Sequence, residues 1–132
     1  MTRFVVDSGV VLHLAREGIE VHEEHELLAP TLLRSQTLSA LHEAVQRAEL
    51  ERDLALELLE RVSAIKIRLL GDAVLRRNAW KIADELGSAE TYEAEYLALT
   101  RLQADAFVTL DADLARRAEG IVPTAKIDAL LG

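Results

Sequence analysis

The sequence has 132 residues, half of them hydrophobic, but only one Trp, two Tyr and two Phe, so we expect a single domain over residues 1–132 with a core built mainly from aliphatic side chains. The absence of cysteine excludes disulfide bonds, thiolate zinc sites and thiol catalysis, and with no membrane-length apolar stretch it favours a cytoplasmic protein with no membrane contact. The formal charge of −8, from 15 Lys and Arg against 23 Asp and Glu, argues against nonspecific capture of nucleic acid by a basic surface.

The N-terminal part of the chain predicts two strand–helix units. The apolar run over residues 2–6 predicts a short buried strand, after which Asp7 can cap a helix that Gly18 ends. A second short strand over residues 27–29 ends at Pro30, which suits the first turn of a following helix. Apolar residues then recur at helical spacing, so the second unit also reads as strand followed by helix.

The rest of the chain continues this alternation of helices and strands. The apolar periodicity predicts, in order, helix 50–62, strand 64–69, helix 72–86, a helix from residue 91, strand 106–110, helix 111–118 and a last short strand at 121–122. Strands that alternate with helices predict an α/β domain, with a central, mostly parallel sheet of four or five short strands flanked by helices.

Three separated acids occupy positions that suit a shared site. Asp7 ends the run FVVD, Asp111 ends the run AFVTLD, and Glu93 opens the amphipathic segment TYEAEYLALTRL. A carboxylate at the carboxyl end of a buried strand is costly to desolvate unless a cation or hydrogen-bond donors compensate it. Because ligands of open α/β sheets bind at that edge, the acids predict one site.

Each of these acids also has a simpler structural explanation. Asp7 and Asp111 can each cap the helix that follows, and Glu93 at a helix start can complement the helix dipole. The basic residues of the middle third can likewise form only a solvated helix face; they are Arg61, Lys66, Arg68, Arg76, Arg77 and Lys81. The residue types alone leave these alternatives open.

The motifs together resemble the PIN domain, in particular the toxin ribonucleases of VapBC-type toxin–antitoxin pairs. The segments FVVDSGVVLHLA, LLAPTLLRSQTLSALHEA and TYEAEYLALTRLQADAFVTLDADLA are similar to the family's first strand with its acid, its second strand and helix, and the region of its last two acids. The resemblance implies a three-layer PIN-like fold. It also implies that Asp7, Glu93 and Asp111 are catalytic, and that a metal is bound by Asp7, Gln36, Glu93 and Asp111.

The same resemblance implies an activity, a cofactor and partners. The activity would be an endoribonuclease toxin that depends on Mg²⁺ or Mn²⁺, the hard cations that oxygen ligands select, and leaves a 5′-phosphate and a 3′-hydroxyl. The partners would be RNA, a VapB-type antitoxin and a second copy in a homodimer. The apolar residues that would line the antitoxin groove, unless they are plain core, are Leu38, Leu41, Val45, Leu54 and Leu58.

Gln36 motivates a second hypothesis. The family has a metal-supporting Glu at this place, and an amide keeps an accepting oxygen but carries no charge and cannot act as a base. Glu93 also replaces the more common Asp, which keeps the charge and lengthens the side chain. The alternative function is therefore a catalytically weakened PIN domain that binds a partner or RNA without cutting it.

Overall fold

The computed structural model describes all 132 residues and has one sheet of five short strands. The elements, in chain order, are β1 (Arg3–Val6), α1 (Ser8–Glu17), β2 (Glu26–Pro30), α2 (Leu32–Gln46), α3 (Arg52–Ala64), β3 (Ile67–Leu70), α4 (Ala73–Leu86), α5 (Tyr92–Gln103), β4 (Ala106–Val108), α6 (Ala112–Ala118) and β5 (Thr124–Ala125), followed by a 3₁₀ helix (Ile127–Leu131). The strand order is β3-β2-β1-β4-β5, and all four pairings are parallel. The predicted α/β architecture is confirmed.

The central strands are apolar because helices pack against the sheet. Val5, Val6 and Phe107 in β1 and β4 are fully buried and belong to a core of 26 residues. Helix α5 packs on β1, β2 and β4 and against α4, while α1 packs with α2 and α3. Strands enclosed in this way read as continuous hydrophobic runs, as in FVV and AFV. No helix combines the length and the hydrophobicity that crossing a membrane requires.

Aspartates begin three of the helices. Oδ1 of Asp7 accepts a hydrogen bond from Val10 N at 3.1 Å, Oδ1 of Asp72 accepts from Leu75 N at 2.8 Å, and Asp111 caps α6 in the same way. Each side chain replaces a partner that the first helical turn lacks. The capping alternative for Asp7 and Asp111 is therefore correct, and it fixes both carboxylates at the ends of β1 and β4.

The prediction of a strand at residues 121–122 is wrong. The backbone N–H groups of Ile121 and Val122 both donate to Ala118 O at 2.9 Å, so these residues form the turn that ends α6. The last strand begins only after Pro123, whose carbonyl accepts from Phe107 N, and it pairs with β4 over Thr124–Ala125. Val122 is apolar because it is buried in a turn.

Two predicted boundaries also shift. Pro30 is the last residue of β2, paired with Leu70, and does not lie in the first helical turn. The strand predicted over 64–69 begins only at Ile67, because α3 continues to Ala64 and Ile65 N bonds back to Val62 O. The 3₁₀ helix was not predicted, since its pattern of alternating apolar residues is too short to assign.

Candidate functional site

All four predicted site residues line one cavity of about 260 Å³. Strands β1 and β4 are parallel neighbours in which Val6 pairs with Val108, so the residues that follow them meet at the same sheet edge. Glu93 enters from the first turn of α5, and Gln36 enters from α2. The other lining residues are Ser8, Gly9, Tyr96, Thr109, Leu110 and Leu114. The fold thus collects residues separated by more than 100 positions.

Asp7 is a half-buried carboxylate whose two oxygens both accept hydrogen bonds. Oδ1 accepts from Val10 N, and Oδ2 accepts from the Thr109 hydroxyl. Burial raises the pKa of Asp7, and the nearby charge of Asp111 raises it further, whereas the bonds from Thr109 and Val10 lower it. The net rise means that the ionised form is under-compensated, and a cation in the cavity would stabilise it.

Asp111 is linked to Asp7 through Thr109. The Thr109 hydroxyl donates to Asp7 and accepts from Asp111 N at 3.2 Å, so one side chain connects the ends of β1 and β4. Oδ1 of Asp111 accepts from Asp113 N and Leu114 N at 3.0 and 3.1 Å. Its Oδ2 accepts no hydrogen bond within the chain, so Asp111 can both cap α6 and offer an oxygen to the cavity.

Glu93 forms an ion pair with Arg117 of α6. Arg117 Nη1 lies 3.0 Å from Glu93 Oε1, and Nη2 lies 3.3 Å from Oε2. The Nε of the same guanidinium donates to Asp113 Oδ2 at 2.9 Å. These hydrogen bonds, the one to Glu93 foremost, raise the pKa of Arg117, so the side chain stays charged. Glu93 therefore faces a protein cation in addition to the cavity.

Gln36 is held by Tyr96, whose hydroxyl donates to Gln36 Oε1. The Tyr96 ring is 3% exposed and packs near Phe107, with 6.2 Å between the ring centroids. Burial raises the pKa of Tyr96, as do the charges of Asp7 and Glu95, so the phenol remains a hydrogen-bond donor. The amide is thus oriented with its oxygen toward Tyr96.

The cavity offers two carboxylates to a hard cation, in place of the three that the sequence predicts. Asp7 and Asp111 supply carboxylate oxygens, the donor type that Mg²⁺ and Mn²⁺ prefer. No group of three or more His, Asp or Glu side chains is close enough to hold a metal ion, and the third acid, Glu93, is paired with Arg117. The donor chemistry fits the metal, with two carboxylates in place.

Comparison with solved structures places this fold among known ones. The chain is similar to PAE2754 from Pyrobaculum aerophilum, with a TM-score of 0.74, 22% identity, and 98% of this chain and 92% of that chain covered. It is also similar to a chain in VapBC-1 from nontypeable Haemophilus influenzae, with a TM-score of 0.64, 9% identity, and 96% of this chain and 98% of that chain covered. A chain in VapBC2 from Rickettsia felis, bound to a promoter DNA fragment, is similar with a TM-score of 0.67, 6% identity, and 94% of this chain and 98% of that chain covered. The fold is PIN-like.

At these identities the likeness concerns the PIN-like fold alone, and no protein-family model and no curated protein matches the chain. The three-layer PIN-like arrangement that the sequence resemblance implied is confirmed, with the sheet between helices. The roles of Asp7, Gln36, Glu93 and Asp111 stay predictions.

Three side chains at the candidate site were not assigned from the sequence. Thr109 and Tyr96 lie in the segment that resembles the region of the family's last two acids, but the sequence assigns no role to them or to Arg117. The spacing of Asp113 and Arg117 predicts a pair on one helix turn, but nothing in the sequence places Arg117 beside Glu93. That contact depends on how α5 and α6 pack.

A second cavity, of about 460 Å³, lies between α2, α3 and β3. Of the residues expected in an antitoxin groove, Leu41 and Leu58 are instead buried in a small core cluster with Ala55. Leu38 is 55% exposed and lines the cavity, together with Leu33, Arg34, Thr37, Leu59, Val62, Ser63, Ile65, Ile67 and Leu69. The apolar stripe is therefore partly core and partly surface.

Proposed function

We propose that this chain is an endoribonuclease toxin of a VapBC-type pair that uses Mg²⁺ or Mn²⁺. The observation that carries the proposal is the meeting of Asp7 and Asp111, from adjacent parallel strands, in one cavity with Gln36 and Glu93. The rise in the pKa of Asp7 supports it, because burial of a carboxylate beside another acid costs stability unless a cation compensates both. The likeness to chains of two VapBC structures supports the toxin assignment.

The proposed reaction is hydrolysis of an RNA phosphodiester. The water oxygen bonds to phosphorus, the bond from phosphorus to the 3′ oxygen breaks, and that oxygen takes up a proton that the water has lost, which leaves a 5′-phosphate and a 3′-hydroxyl. A divalent cation would supply Lewis acidity and activate the water. Asp7 and Asp111 would hold it with Glu93 as a third ligand, and Thr109 keeps Asp7 in position. Tyr96 fixes the Gln36 carbonyl, which can orient a ligand but not take its proton.

A surface on α4 suits the RNA strand. Trp80 is 70% exposed, and Arg76 and Arg77 precede it by one helical turn, with Lys81 next to it. None of these three cations forms a salt bridge. An exposed indole with unpaired cations can stack a base and contact phosphates. Helix α4 begins at the carboxyl end of β3, and in a parallel sheet this is the edge where the acids lie.

The cavity between α2, α3 and β3 suits the antitoxin. Seven of its ten lining residues are hydrophobic, and Leu38 is exposed at its rim. An amphipathic segment that inserts apolar side chains into such a groove is a common mode of peptide recognition. The antitoxin segment would bury Leu38 and contact Arg34. We also propose that the chain forms a homodimer, and analytical ultracentrifugation of the isolated chain tests this through its sedimentation.

A second candidate is a weakened PIN domain that binds RNA or a partner without cutting. Two observations favour it: the fourth family acid is Gln36, and Glu93 is engaged by Arg117. Both reduce the negative charge available to a divalent cation, and one fewer charge weakens binding of the ion. This candidate predicts RNA binding that is independent of metal and survives loss of Asp7.

Cleavage of a mixed RNA pool with Mn²⁺, Mg²⁺ or chelator separates the two candidates. The nuclease proposal predicts metal-dependent cleavage that Asp7→Asn abolishes. Asp72→Asn is the matched control, because Asp72 caps a helix as Asp7 does but lies outside the cavity. Activity only in Gln36→Glu would establish the weakened form. Cleavage that Asp7→Asn leaves intact would refute the proposed site.

A further inference from the structure

The ion pair between Glu93 and Arg117 has a direct effect on the candidate metal centre. We propose that Arg117 is a resident counter-cation of this centre, which competes with a divalent cation for the carboxylate of Glu93. The inference rests on the proposed function, since it takes Glu93 as a metal ligand in the loaded protein. Arg117 would thereby set the affinity of the site for the metal without contacting the reacting atoms.

The geometry of the pair is that of an anchored contact. Both terminal nitrogens of Arg117 bond to separate oxygens of Glu93, at 3.0 and 3.3 Å, and Nε bonds to Asp113. All three guanidinium nitrogens are therefore engaged. The side chains of Arg117 and Glu93 are only 33% and 31% exposed. A planar guanidinium held in this way is preorganised for a two-bond contact with a carboxylate.

Glu93 cannot satisfy Arg117 and a metal ion fully at the same time. Both of its oxygens are taken by the guanidinium, and a divalent ion near Glu93 would be repelled by the charge of Arg117. A cation must therefore separate the pair or bind through Asp7 and Asp111 alone. The competition agrees with the spacing of the acids, since no three His, Asp or Glu side chains lie close enough together to hold a metal ion.

The neighbouring residue provides a matched control. Arg116 also pairs with Asp113 and carries the same charge on the same helix, but it makes no contact with Glu93 and its side chain is 72% exposed. Arg117→Met and Arg116→Met therefore remove the same charge from α6, and only the first releases Glu93. Arg117→Lys keeps the charge but loses the planar two-bond contact.

The test is calorimetric titration of metal-free protein with Mn²⁺. We expect Arg117→Met to bind Mn²⁺ about tenfold more tightly than the native chain, Arg117→Lys to lie between, and Arg116→Met to change affinity less than about twofold. In a Glu93→Gln background the gain from Arg117→Met should shrink. Thermal unfolding of each variant confirms that it is folded, and Arg117→Lys carries the test if Arg117→Met is not.

Three results would overturn the inference. The first is equal Mn²⁺ affinity in the native and Arg117→Met proteins while Asp7→Asn abolishes binding. In that case the proposed metal site stands and only the role of Arg117 is refuted. The second is an equal gain from Arg116→Met, and the third is an undiminished gain in the Glu93→Gln background, because both would indicate a general charge effect. If no variant binds Mn²⁺, the proposed metal function fails together with the inference.

Discussion

Replacing Gln36 by Glu should destabilise the metal-free protein and stabilise the metal-bound one. The substitution keeps the size of the side chain, and a carboxylate oxygen can accept the hydrogen bond that Tyr96 now donates to the amide. Packing is therefore preserved and the charge of the cavity changes by one unit. Opposite effects with and without metal are not expected from simple damage to the fold.

The size of both effects of Gln36→Glu can be estimated from the cavity, whose volume is about 260 Å³. For a sphere of that volume, about 8 Å across, Coulomb's law gives a repulsion of about 0.5–2 kcal/mol between the new carboxylate and each of Asp7 and Asp111, at effective dielectric constants of about 80 to 20. A divalent cation at the centre, about 4 Å away, would gain at least about 2 kcal/mol, or about 30-fold in affinity.

Thermal unfolding with chelator and with saturating Mn²⁺ measures both effects. With chelator we expect Gln36→Glu to unfold at least about 3 °C below the native chain, since the two repulsions add to about 1–4 kcal/mol, which corresponds to roughly 3–20 °C for a domain of this size. The increase in unfolding temperature from chelator to saturating Mn²⁺ should be larger for Gln36→Glu than for the native chain. Gln46→Glu, at the exposed C-terminal end of the same helix, should lose at most about 1 kcal/mol to the helix dipole, and its response to Mn²⁺ should equal that of the native chain. A lower unfolding temperature of Gln36→Glu in both conditions, with no larger metal response, would refute the reasoning.

Other predictions concern the acid, the RNA surface and the antitoxin groove. Because burial raises the pKa of Asp7, its ionised form costs stability above that raised pKa, and the cost disappears as the pH falls through it. Metal-free Asp7→Asn should thus be more stable than the native chain at pH 7, with a gain that shrinks toward acid pH in denaturant titrations; a constant gain would contradict this. Trp80→Ala should weaken RNA binding by about 1–3 kcal/mol in filter-binding assays without changing Mn²⁺ affinity. Unchanged RNA binding would exclude a stacking role for Trp80. Loss of self-association in Trp80→Ala alone would assign this surface to a dimer instead. Leu38→Asp should weaken antitoxin binding at least tenfold by surface plasmon resonance and leave RNA cleavage intact; unchanged antitoxin binding would place the partner elsewhere.

The elements that hold the site could be predicted from the sequence because short-range signals define them. The runs FVV and AFV become buried parallel strands, and Asp7 and Asp111 cap the helices that follow. The expectation that both acids share one edge of the sheet needed only the alternation of strands and helices. The error at residues 121–122 has the same origin, since two buried apolar residues can end a helix as well as form a strand.

The contacts between elements could not be predicted in this way. Tyr96 reaches Gln36 across 60 positions, and Arg117 reaches Glu93 across 24. Both contacts depend on where α2, α5 and α6 lie around the sheet, which no local pattern encodes. The number of acids was predictable from the sequence, whereas the pairing of one of them with an arginine was not.

The double use of Asp7 and Asp111 affects how such a chain can diverge over evolution. Each carboxylate caps a helix, and replacing a capping Asp by Ala costs about 1 kcal/mol whether or not the protein cleaves RNA. Selection for folding alone would therefore retain a capping side chain at both positions after activity has been lost, but not the negative charge, since Asn caps a helix as well as Asp does. Gln36 and Glu93 cap nothing, but the fold uses Gln36 as the acceptor of the Tyr96 hydroxyl and Glu93 as the partner of Arg117. In a comparison of related chains, replacement of Asp7 or Asp111 by Asn would thus report on loss of activity, while retention of any capping residue there would report only on a folded sheet edge.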